Sequence, residues 1–536
     1  MTVFRSRIDP ASDGFRRNRA DMLELVGRMR ELEAQACTRS DAAAARFHRR
    51  GQLLPRERLA LLLDPGAPVL ELGNVAGYDP EGNGTVPGGG MITLIGFIAG
   101  TRCLVIANDS GIDAGSLTTP GSEKLIRACE IGLENRLPVV FLVESAGGNL
   151  LTYRVEFWHR AGRMFAMQAK LSAAGIPVIT VQHGSGTAGG AYFPGMSDIV
   201  IGVKGRGFAF LAGPPLLKAA TGEIADAEEL GGMSMHARVS GLVEHLAEDD
   251  EDALRICRDV VARLRWNAGQ PSTGGAFEDP AYDPDELAGV VPVDVKKPYD
   301  CREVIARIAD GSDLLEFKPD FGAMTVCVEG TVLGHPAGFI ANNGAIDVEG
   351  AAKATHFMQR CTQLGVPLVF LQNITGYMVG VASERSGMIK NGAKMIQAVA
   401  TTSVPKFTLI IGASFGAGNY GMCGAGYWPR LIMCWPNARL GVLGAEQAAQ
   451  TMRMVAAEKA VRDGEPLDDA ALDKYAADIA AYYDAQESAF VSSGRMCDDG
   501  LLDPRHSRHM LGFSLAMAAE SQLTETHPLS FSVARM

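Results

Sequence analysis

The sequence has no apolar run long enough to span a membrane, no closely spaced cysteine pair and no excess of basic residues. Its longest apolar runs, VPLVFLQ and KFTLIIG, have the length of β-strands, whereas a membrane-spanning helix needs about 20 apolar residues. The N-terminal stretch MTVFRSRIDPASDGFRRNRADMLEL contains neither the apolar core nor the small-residue cleavage site of a secretory signal. We therefore expect a protein that neither crosses a membrane nor is secreted.

The cysteine pattern and the charge balance narrow the possible classes further. The ten cysteines are scattered along the 536 residues and form no C-x-x-C pair. This pattern argues against a disulfide framework and a four-cysteine zinc site, and it predicts buried, reduced thiols. The formal net charge is −12, which gives no support for a nucleic acid or an anionic membrane surface as a partner.

The length and the local patterns predict an α/β protein with at least two domains, because 536 residues are too many for one ordinary core. Residues 15–50 have helical spacing, and LLPRERLALLLDPG is typical of a short helix ended by Pro65 and Gly66. Beyond this helix, short β-branched runs alternate with glycine-rich turns and helical segments. Residues 267–300 are dense in proline, glycine and aspartate and predict a linker.

Three blocks of the sequence recur in the same order on the two sides of this predicted linker. VIANDSGID, LPVVFLVESAGG and IPVITVQHGSGTAGGAY in the first half match FIANNGAID, VPLVFLQNITGY and VPKFTLIIGASFGAGNY in the second, at an offset of about 230 residues. The repetition predicts an internal duplication. We place the N-terminal domain at residues 1–275, with a helical extension over residues 1–60, and the C-terminal domain at residues 276–536.

Two short motifs are typical of enzyme classes that the rest of the sequence does not support. GSGTAG fits the G-x-G-x-x-G pattern of dinucleotide-binding turns, but Pro194 interrupts the helix that should follow, and no acidic residue stands about 20 positions further on. GASFG fits the nucleophile elbow of α/β-hydrolases with Ser414 as the nucleophile, but the matching position in the first half is Gly186. We interpret Ser414 as a small turn residue.

Both halves retain a strand, a glycine-rich turn and a short helical segment, which read GGAY at residues 189–192 and AGNY at residues 417–420. Glycine lets a ligand approach the backbone closely, and a helix N-terminus presents free N–H groups and a positive dipole end. Such a turn can stabilise an oxyanion, and one well-placed donor contributes about 2.7–4 kcal/mol. The two copies predict two oxyanion sites for one reaction; the alternative is that the glycines only turn the chain tightly.

Longer segments of the sequence resemble the carboxyltransferase (β) subunits of biotin-dependent acyl-CoA carboxylases, from about residue 25 to about residue 530. The segments that carry the resemblance are TAGGAYFPGMSD, FLAGPPLLKAATGE, FGAGNYGMCG and WPNARLGVLGAEQAA. Within that family, QNITGYMVG and the segment WPNAR with GAEQAA are most similar to the methylcrotonyl-CoA and geranyl-CoA types.

This resemblance implies an α/β fold of two duplicated crotonase-like domains built from ββα units, and a ring-shaped homohexamer. It also implies that CoA binds mainly to the N-terminal domain and carboxybiotin to the C-terminal domain, with active sites between domains of different subunits. The backbone N–H groups of the two oxyanion sites would belong to Gly189, Gly190 and Ala191, and to Gly418 and Asn419. The residues that bind substrate or CoA would be Ala146, Gly147, Phe193, Gly213, Pro214 and Lys218, and those that bind biotin would be Gly376, Phe415 and Tyr420.

The chemistry implied by the family requires no catalytic acid or base from this chain, because the biotin anion left after CO2 release takes the proton of the acyl-CoA. We accordingly interpret His183 and His236 as structural. The sequence shows no ATP-dependent carboxylase region, and GAKM around Lys394 lies in a helical pattern, not in a biotin-carrying hairpin. We therefore expect a partner α subunit that carries biotin in an α6β6 holoenzyme, no metal in this chain, and a bacterial cytoplasmic or mitochondrial-matrix location.

Several positions depart from the pattern of methylcrotonyl-CoA enzymes. Gly186, Phe193 and Gly195 are such departures, as are CGAGYWPR at residues 423–430 and the lack of an Arg-Gln pattern in residues 147–162. The additional small residues indicate a longer or bulkier acyl group, such as geranyl. Two alternatives from other classes are a crotonase-fold hydrolase or decarboxylase that acts alone, and a non-catalytic assembly scaffold.

Overall fold

The computed structural model describes residues 3–148, 155–267, 275–464, 467–526, 528 and 531–533. The helices are α1 (Asp13–Asp41), α2 (Ala44–Arg49), α3 (Pro55–Leu62), α4 (Thr119–Asn135), α5 (Val155–Ala173), α6 (Tyr192–Met196), α7 (Pro214–Thr221), α8 (Ala227–Gly231), α9 (Met233–Met235), α10 (Asp250–Leu264), α11 (Leu287–Val290), α12 (Cys301–Ala306), α13 (Val348–Leu364), α14 (Val381–Arg385), α15 (Met388–Thr401), α16 (Gly416–Gly421), α17 (Ala445–Asp463), α18 (Asp469–Glu487), α19 (Ala489–Gly494) and α20 (Ser507–Leu523). The strands are β1 (Leu70–Leu72), β2 (Met91–Ile98), β3 (Thr101–Asn108), β4 (Val139–Ser145), β5 (Val178–Thr187), β6 (Ile199–Val203), β7 (Phe208–Phe210), β8 (His245–Ala247), β9 (Leu315–Glu316), β10 (Thr325–Val332), β11 (His335–Asn342), β12 (Leu368–Ile374), β13 (Lys406–Phe415), β14 (Leu431–Cys434) and β15 (Arg439–Gly441).

The chain folds into two compact units, which we call the N-unit and the C-unit. The N-unit comprises Arg30–Ser272, Gly494–Met496 and Met517–Met536. The C-unit comprises Met1–Met29, Thr273–Ser493 and Cys497–Ala516.

The N-unit is built on a sheet with the strand order β1-β2-β3-β4-β5-β6-β8, in which β7 also pairs with β5. The pairs β1/β2 and β2/β3 are antiparallel, and the pairs from β3 onward are parallel. β4 and β5 are almost continuously buried, as expected for parallel strands that are covered on both faces. Because parallel strands end at the same edge of a sheet, the residues after β4 and β5 come together there.

The C-unit repeats this arrangement with the strand order β14-β13-β12-β11-β10-β9, in which β15 also pairs with β13. The pairs β9/β10 and β10/β11 are antiparallel, and the pairs from β11 onward are parallel. The repetition extends to the register: Ser145 pairs with Gly186 in the N-unit, and Ile374 pairs with Ser414 in the C-unit, each after a shift near the end of the strand. The predicted α/β class and the internal duplication are confirmed.

The predicted linker is more ordered than its composition suggests. Residues 268–274 lie outside the described residues, but Pro284–Glu286 form a 3-10 turn that leads into α11. Leu287 and Val290 of α11 are buried. The short apolar run LAGVV finds a core to pack against, which favours order despite the flanking prolines and aspartates.

Candidate functional site

In the N-unit, β5 runs directly into the segment that the sequence singles out, which we call the N-turn (residues 187–192). Thr187 precedes a 3-10 helix over Ala188–Ala191, and α6 follows without a break. The first N–H groups of a helix have no partner within the helix, and Gly189 and Gly190 belong to this first turn. The structure therefore brings backbone donors to the carboxyl end of β5.

Gly190 has an unusual combination of properties for a buried glycine. Its φ is not positive, and the nearest heavy atoms to an added Cβ would be Cβ and the carbonyl oxygen of Ser145, both at 4.0 Å. An added Cβ at Gly189 would meet only the ring of Phe165, at 3.5 Å. Neither backbone strain nor packing inside the chain requires glycine at these two positions, so a ligand that approaches the backbone closely remains as a reason for it.

The loop after β4 lies beside the N-turn and contains two of the predicted CoA-binding residues. Gly147 has a φ of +90°, and its N–H donates to Oγ of Ser145 over 3.1 Å. An added Cβ at Gly147 would lie 3.3 Å from the carbonyl oxygen of Thr187. Ala146 precedes it and is exposed. The structure thus brings Ala146 and Gly147 together with the end of β5.

A cavity of about 340 Å³ opens next to this loop. It is lined by Arg46, Phe47, Arg50, Ser110, Ala114, Glu144, Ser145, Ala146, Ser185 and Thr187. Arg46 and Arg50 are exposed, so two guanidinium groups stand at this cavity. Neither arginine stands out in the sequence, because a run of arginines in an exposed helix is ordinary and only the fold places it next to residues 145–146.

A buried charged cluster reaches this cavity through Glu144, which lines it. Arg58 forms ion pairs with Glu144 at 2.7 Å and with Asp250 at 3.2 Å, and Nδ1 of His183 lies 2.7 Å from Asp250. Burial raises the pKa of Asp250, but the hydrogen bond with His183 and the charge of Arg58 outweigh burial and hold that pKa well below its usual range. Burial and the charge of Arg58 lower the pKa of His183. His183 is therefore a neutral buried histidine within this cluster, in agreement with its interpretation as structural.

The remaining predicted residues of the N-unit have different environments. Phe193 is only 2% exposed and packs against Phe141 and Phe165, with ring centroids 5.4 and 5.7 Å away. It lies in the core behind the N-turn. Gly213 precedes α7 and Pro214 begins it, and Lys218 on the same helix is exposed. This segment follows β7, which pairs with β5 through Ser185, Gly186 and Thr187.

In the C-unit, β13 leads into the matching segment, which we call the C-turn (residues 415–420). Phe415 precedes α16, and Gly418 falls in its first turn. Gly418 packs tightly: an added Cβ would lie 2.7 Å from Cγ1 of Ile374 and 3.0 Å from Cα of Gly376. Gly376 itself has a φ of +127°. Tyr420 is 50% exposed, and its ring lies 5.8 Å from that of Tyr427. The structure therefore brings Gly376 together with the C-turn.

Three polar side chains form hydrogen bonds with one another on the buried side of the C-turn. Two of them, Gln372 and Ser414, could not be recognised from the sequence as parts of such a network. Oγ of Ser414 donates to Oε1 of Gln372 over 2.6 Å. Nδ2 of Asn419 donates to Oγ of Ser414 over 2.8 Å and to Oε1 of Gln372 over 3.3 Å. Ser414 is only 1% exposed, and its hydroxyl donates to an amide. It therefore lacks the exposure and the neighbouring base of a hydrolase nucleophile.

The other motifs have structural roles in the described chain. The segment after GSGTAG forms two short helices and then β6, so it lacks the long helix of a dinucleotide-binding turn. His236 uses both ring nitrogens, toward Ser240 at 2.7 Å and the carbonyl of Ala209 at 2.8 Å. Lys394 lies within α15, as predicted. Residues 149–154 of the segment that lacks the Arg-Gln pattern lie outside the described residues.

Within the described ranges, no helix is both long and apolar enough to cross a membrane. No group of three or more His, Cys, Asp or Glu side chains in this part of the chain could hold a metal ion. None of the ten cysteines, all of which lie in the described ranges, forms a disulfide, and eight of them are buried.

Comparisons with known proteins agree with this architecture. Residues 46–530 match the carboxyl transferase domain family. A probable mitochondrial methylcrotonoyl-CoA carboxylase beta chain of Drosophila melanogaster is 45% identical, over 100% of this chain and 95% of that protein. A probable biotin-dependent acyl-coenzyme A carboxylase beta2 subunit of Mycobacterium tuberculosis is 43% identical over the whole of both chains. The beta subunit of geranyl-CoA carboxylase from P. aeruginosa has a similar solved structure, with a TM-score of 0.93, 49% identity and full coverage of both chains.

Proposed function

The chain belongs to the carboxyl transferase family and is a carboxyltransferase subunit of a biotin-dependent acyl-CoA carboxylase, and we propose that its substrate is a branched or unsaturated acyl-CoA of the geranyl-CoA or 3-methylcrotonyl-CoA type. The observation that carries this proposal is the full-length similarity to a geranyl-CoA carboxylase beta subunit, with 49% identity. The methylcrotonoyl-CoA carboxylase beta chain at 45% identity is nearly as similar, so both acyl groups belong to the proposal.

The two turns are the proposed oxyanion sites of the carboxyl transfer. Backbone N–H groups of Gly189, Gly190 and Ala191 would hold one developing oxyanion, and those of Gly418 and Asn419 would hold the other. The room around Gly190 supports a ligand close to the N-turn. Donors that are fixed before the reaction stabilise charge without any cost of reorganisation, and both turns are held by the ends of buried strands.

The N-unit is the proposed site of the CoA thioester. Ala146, Gly147, Phe193, Gly213, Pro214 and Lys218 are the residues predicted for it, with Phe193 acting through its packing behind the N-turn. The cavity beside Ala146 adds Arg46 and Arg50 to this set. Two exposed guanidinium groups suit the phosphates of CoA, since arginine binds phosphate oxygens through paired N–H groups.

The C-unit is the proposed site of biotin, with Gly376, Phe415 and Tyr420 as the contacting residues. The residues present fit such a ligand, because Gly376 lies against Gly418 of the C-turn without a side chain of its own and Tyr420 presents a half-exposed ring. Carboxybiotin, when bound, supplies both the CO2 and the base that removes the acyl-CoA proton. The residues of this chain bind, orient and stabilise charge in that reaction.

The assembly follows from the same proposal. We expect a partner α subunit with biotin carboxylase and biotin-carrier functions, and a homohexamer of this chain within an α6β6 holoenzyme. We retain residues 1–275 and 276–536 as the proposed functional domains, and the bacterial cytoplasm or the mitochondrial matrix as the proposed location. Copurification of a biotinylated protein on avidin supports the partner; its absence from the purified native complex argues for a stand-alone enzyme or a scaffold.

The substrate is tested by carboxylation of a thioester panel. The complex is supplied with ATP, labelled bicarbonate and one of four thioesters: geranyl-CoA, 3-methylcrotonyl-CoA, propionyl-CoA or acetyl-CoA. The proposal predicts the highest kcat/KM for geranyl-CoA or 3-methylcrotonyl-CoA. A preference for propionyl-CoA or acetyl-CoA would overturn the substrate assignment, and hydrolysis of a thioester by the chain alone would favour the hydrolase.

A further inference from the structure

Gln372, Ser414 and Asn419 come from three elements of the C-unit and meet in one buried network behind the C-turn. Gln372 lies on β12, Ser414 lies on β13, and Asn419 lies on α16. Gln372 has 0% and Ser414 has 1% of its surface exposed. Burying a polar group costs stability unless it is hydrogen-bonded. Removing any one of these three side chains would therefore take a hydrogen-bond partner from the other two.

The donors and acceptors of this network are matched one by one. The amide oxygen of Gln372 accepts from Ser414 and Asn419, and its amide nitrogen donates to the carbonyl oxygen of Met422 over 2.8 Å. The hydroxyl of Ser414 both donates to Gln372 and accepts from Asn419. Gln372 therefore joins β12 to β13, to α16 and to Met422 directly after α16, and it can do so only in one orientation of its amide.

The side chain of Asn419 is also confined on its other side. The N–H of Gly424 donates to the carbonyl oxygen of Asn419 over 2.8 Å. An added Cβ at Gly424 would lie 1.8 Å from Oδ1 of Asn419. The amide of Asn419 thus fills the space that a side chain at position 424 would occupy, and its position fixes that of its own backbone in the C-turn.

Among the described residues, the N-unit has other residues at two of the three positions of this network. The residue that corresponds to Ser414 in the strand register is Gly186, and the one that corresponds to Gln372 is Val143. The sequence repetition therefore does not explain the network. The network belongs to only one of the two turns. If the duplicated fold itself required it, both turns would have it.

We propose that Gln372, Ser414 and the side chain of Asn419 are positioning residues that fix the backbone donors of the C-turn for the carboxyl transfer. The inference rests on the proposed function of the C-turn as an oxyanion site. It assigns no contact with the reacting atoms to Gln372 or Ser414, which are buried. Their effect passes through Asn419 and the direction of the N–H groups at residues 418–419.

The test compares variants in the purified holoenzyme, with carboxylation of the preferred thioester as the assay. Ser414→Ala removes the central hydroxyl, and Gly424→Ala displaces the Asn419 amide and leaves Ser414 and Gln372 intact. We expect each to lower kcat roughly tenfold to hundredfold, because small displacements of catalytic groups have effects of this size, with KM for the thioester changed less than about twofold. The matched control is Ser514→Ala, which removes another buried hydroxyl of the C-unit, bonded to the carbonyl of Met510.

Gln372→Glu provides a readout that a purely structural role would not affect. A protonated carboxyl group can donate to the Met422 carbonyl and accept from Ser414, as the wild-type amide does, whereas an ionised one cannot donate. Burial favours the protonated form. The kcat of this variant, relative to wild type at the same pH, is therefore expected to rise as the pH is lowered.

The outcomes separate this inference from the proposed function. Suppose that the wild-type holoenzyme carboxylates the thioester. An unchanged kcat in Ser414→Ala and Gly424→Ala would then overturn the positioning role, and so would losses of kcat equal to that of Ser514→Ala. If the ratio of the Gln372→Glu kcat to the wild-type kcat does not change with pH, that result would also count against the positioning role. Absence of carboxylation in the wild-type holoenzyme would instead overturn the proposed function itself.

Discussion

Gly418 packs so closely on Ile374 that an added Cβ at Gly418 would lie 2.7 Å from Cγ1 of Ile374. At the matching position in the other unit, an added Cβ at Gly190 would find no atom closer than 4.0 Å. The two turns look alike in sequence but have glycine for different reasons. In the C-turn, packing within the chain requires glycine, whereas in the N-turn the glycine leaves space for something outside the chain.

The packing at the C-turn predicts that Gly418→Ala is destabilising. The added methyl group must displace Ile374 or the backbone of Gly376, and overpacking of this kind typically costs about 1–3 kcal/mol. Thermal and denaturant unfolding should show a lower stability than that of wild type. An unchanged free energy of unfolding would contradict the packing that the structure shows.

The space at the N-turn predicts that Gly190→Ala folds normally but is impaired in carboxylation. Its melting temperature should stay close to that of wild type, whereas kcat/KM should fall more than roughly tenfold as the methyl group reaches the oxyanion position. Gly162→Ala is the matched control, since Gly162 lies within α5 with no atom within 4 Å of an added Cβ. Full activity of Gly190→Ala would show that no ligand approaches the N-turn at this residue.

The cavity beside Ala146 predicts that Arg46 and Arg50 bind the phosphates of CoA. Arg46→Ala and Arg50→Ala should each raise KM for the acyl-CoA about two- to fivefold, the usual size for exposed ion pairs, with kcat unchanged. The effect should diminish at high salt, because salt screens exposed charges. Arg49→Ala is the control on the same helix, where Nε of Arg49 donates to the carbonyl of Ala45. Equal KM values for the three variants would contradict the assignment.

The buried carboxyl group of Asp498 should make the stability of the protein depend on pH. Burial raises the pKa of its carboxyl group to about 7, although Ser493 and the N–H of Gly500 donate to it. Since this pKa is raised on folding, the protonated form stabilises the fold at low pH, and that stabilisation is lost as the pH rises from about 4 to about 7. The loss is at most roughly 1.4 kcal/mol per pH unit.

Asp498→Asn keeps an oxygen acceptor for both donors but cannot ionise. The difference in unfolding free energy between this variant and wild type should therefore grow in favour of the variant from pH 4 to pH 7 and then level off. Parallel stability curves for the two proteins across this range would show that Asp498 is not held in its protonated form.

Much of the fold could be predicted because the sequence contains an internal duplication. The repeated blocks end at the carboxyl ends of β4 and β5 in one unit and of β12 and β13 in the other, so the duplication also located the two turns. A repeat does not reveal what differs between its copies. Gln372 and Ser414 occupy positions where the first half has Val143 and Gly186, and only the strand register shows that they meet.

Other features depend on packing that no local pattern contains. Phe193 follows a glycine-rich turn, and only the structure shows that its ring packs in a cluster with Phe141 and Phe165. Residues 284–291 have the composition of a linker, yet their apolar part is buried. In both cases, burial of apolar surface against partners distant in sequence decides the outcome.

The most direct test of the account is carboxylation by the purified holoenzyme with ATP, labelled bicarbonate and the four thioesters. We expect ATP-dependent incorporation of label into geranyl-CoA or 3-methylcrotonyl-CoA, with lower kcat/KM for propionyl-CoA and acetyl-CoA. The kcat/KM of Gly190→Ala should be more than roughly tenfold lower than that of wild type. No incorporation into any of the four thioesters by a complex that contains the biotinylated subunit would contradict the account.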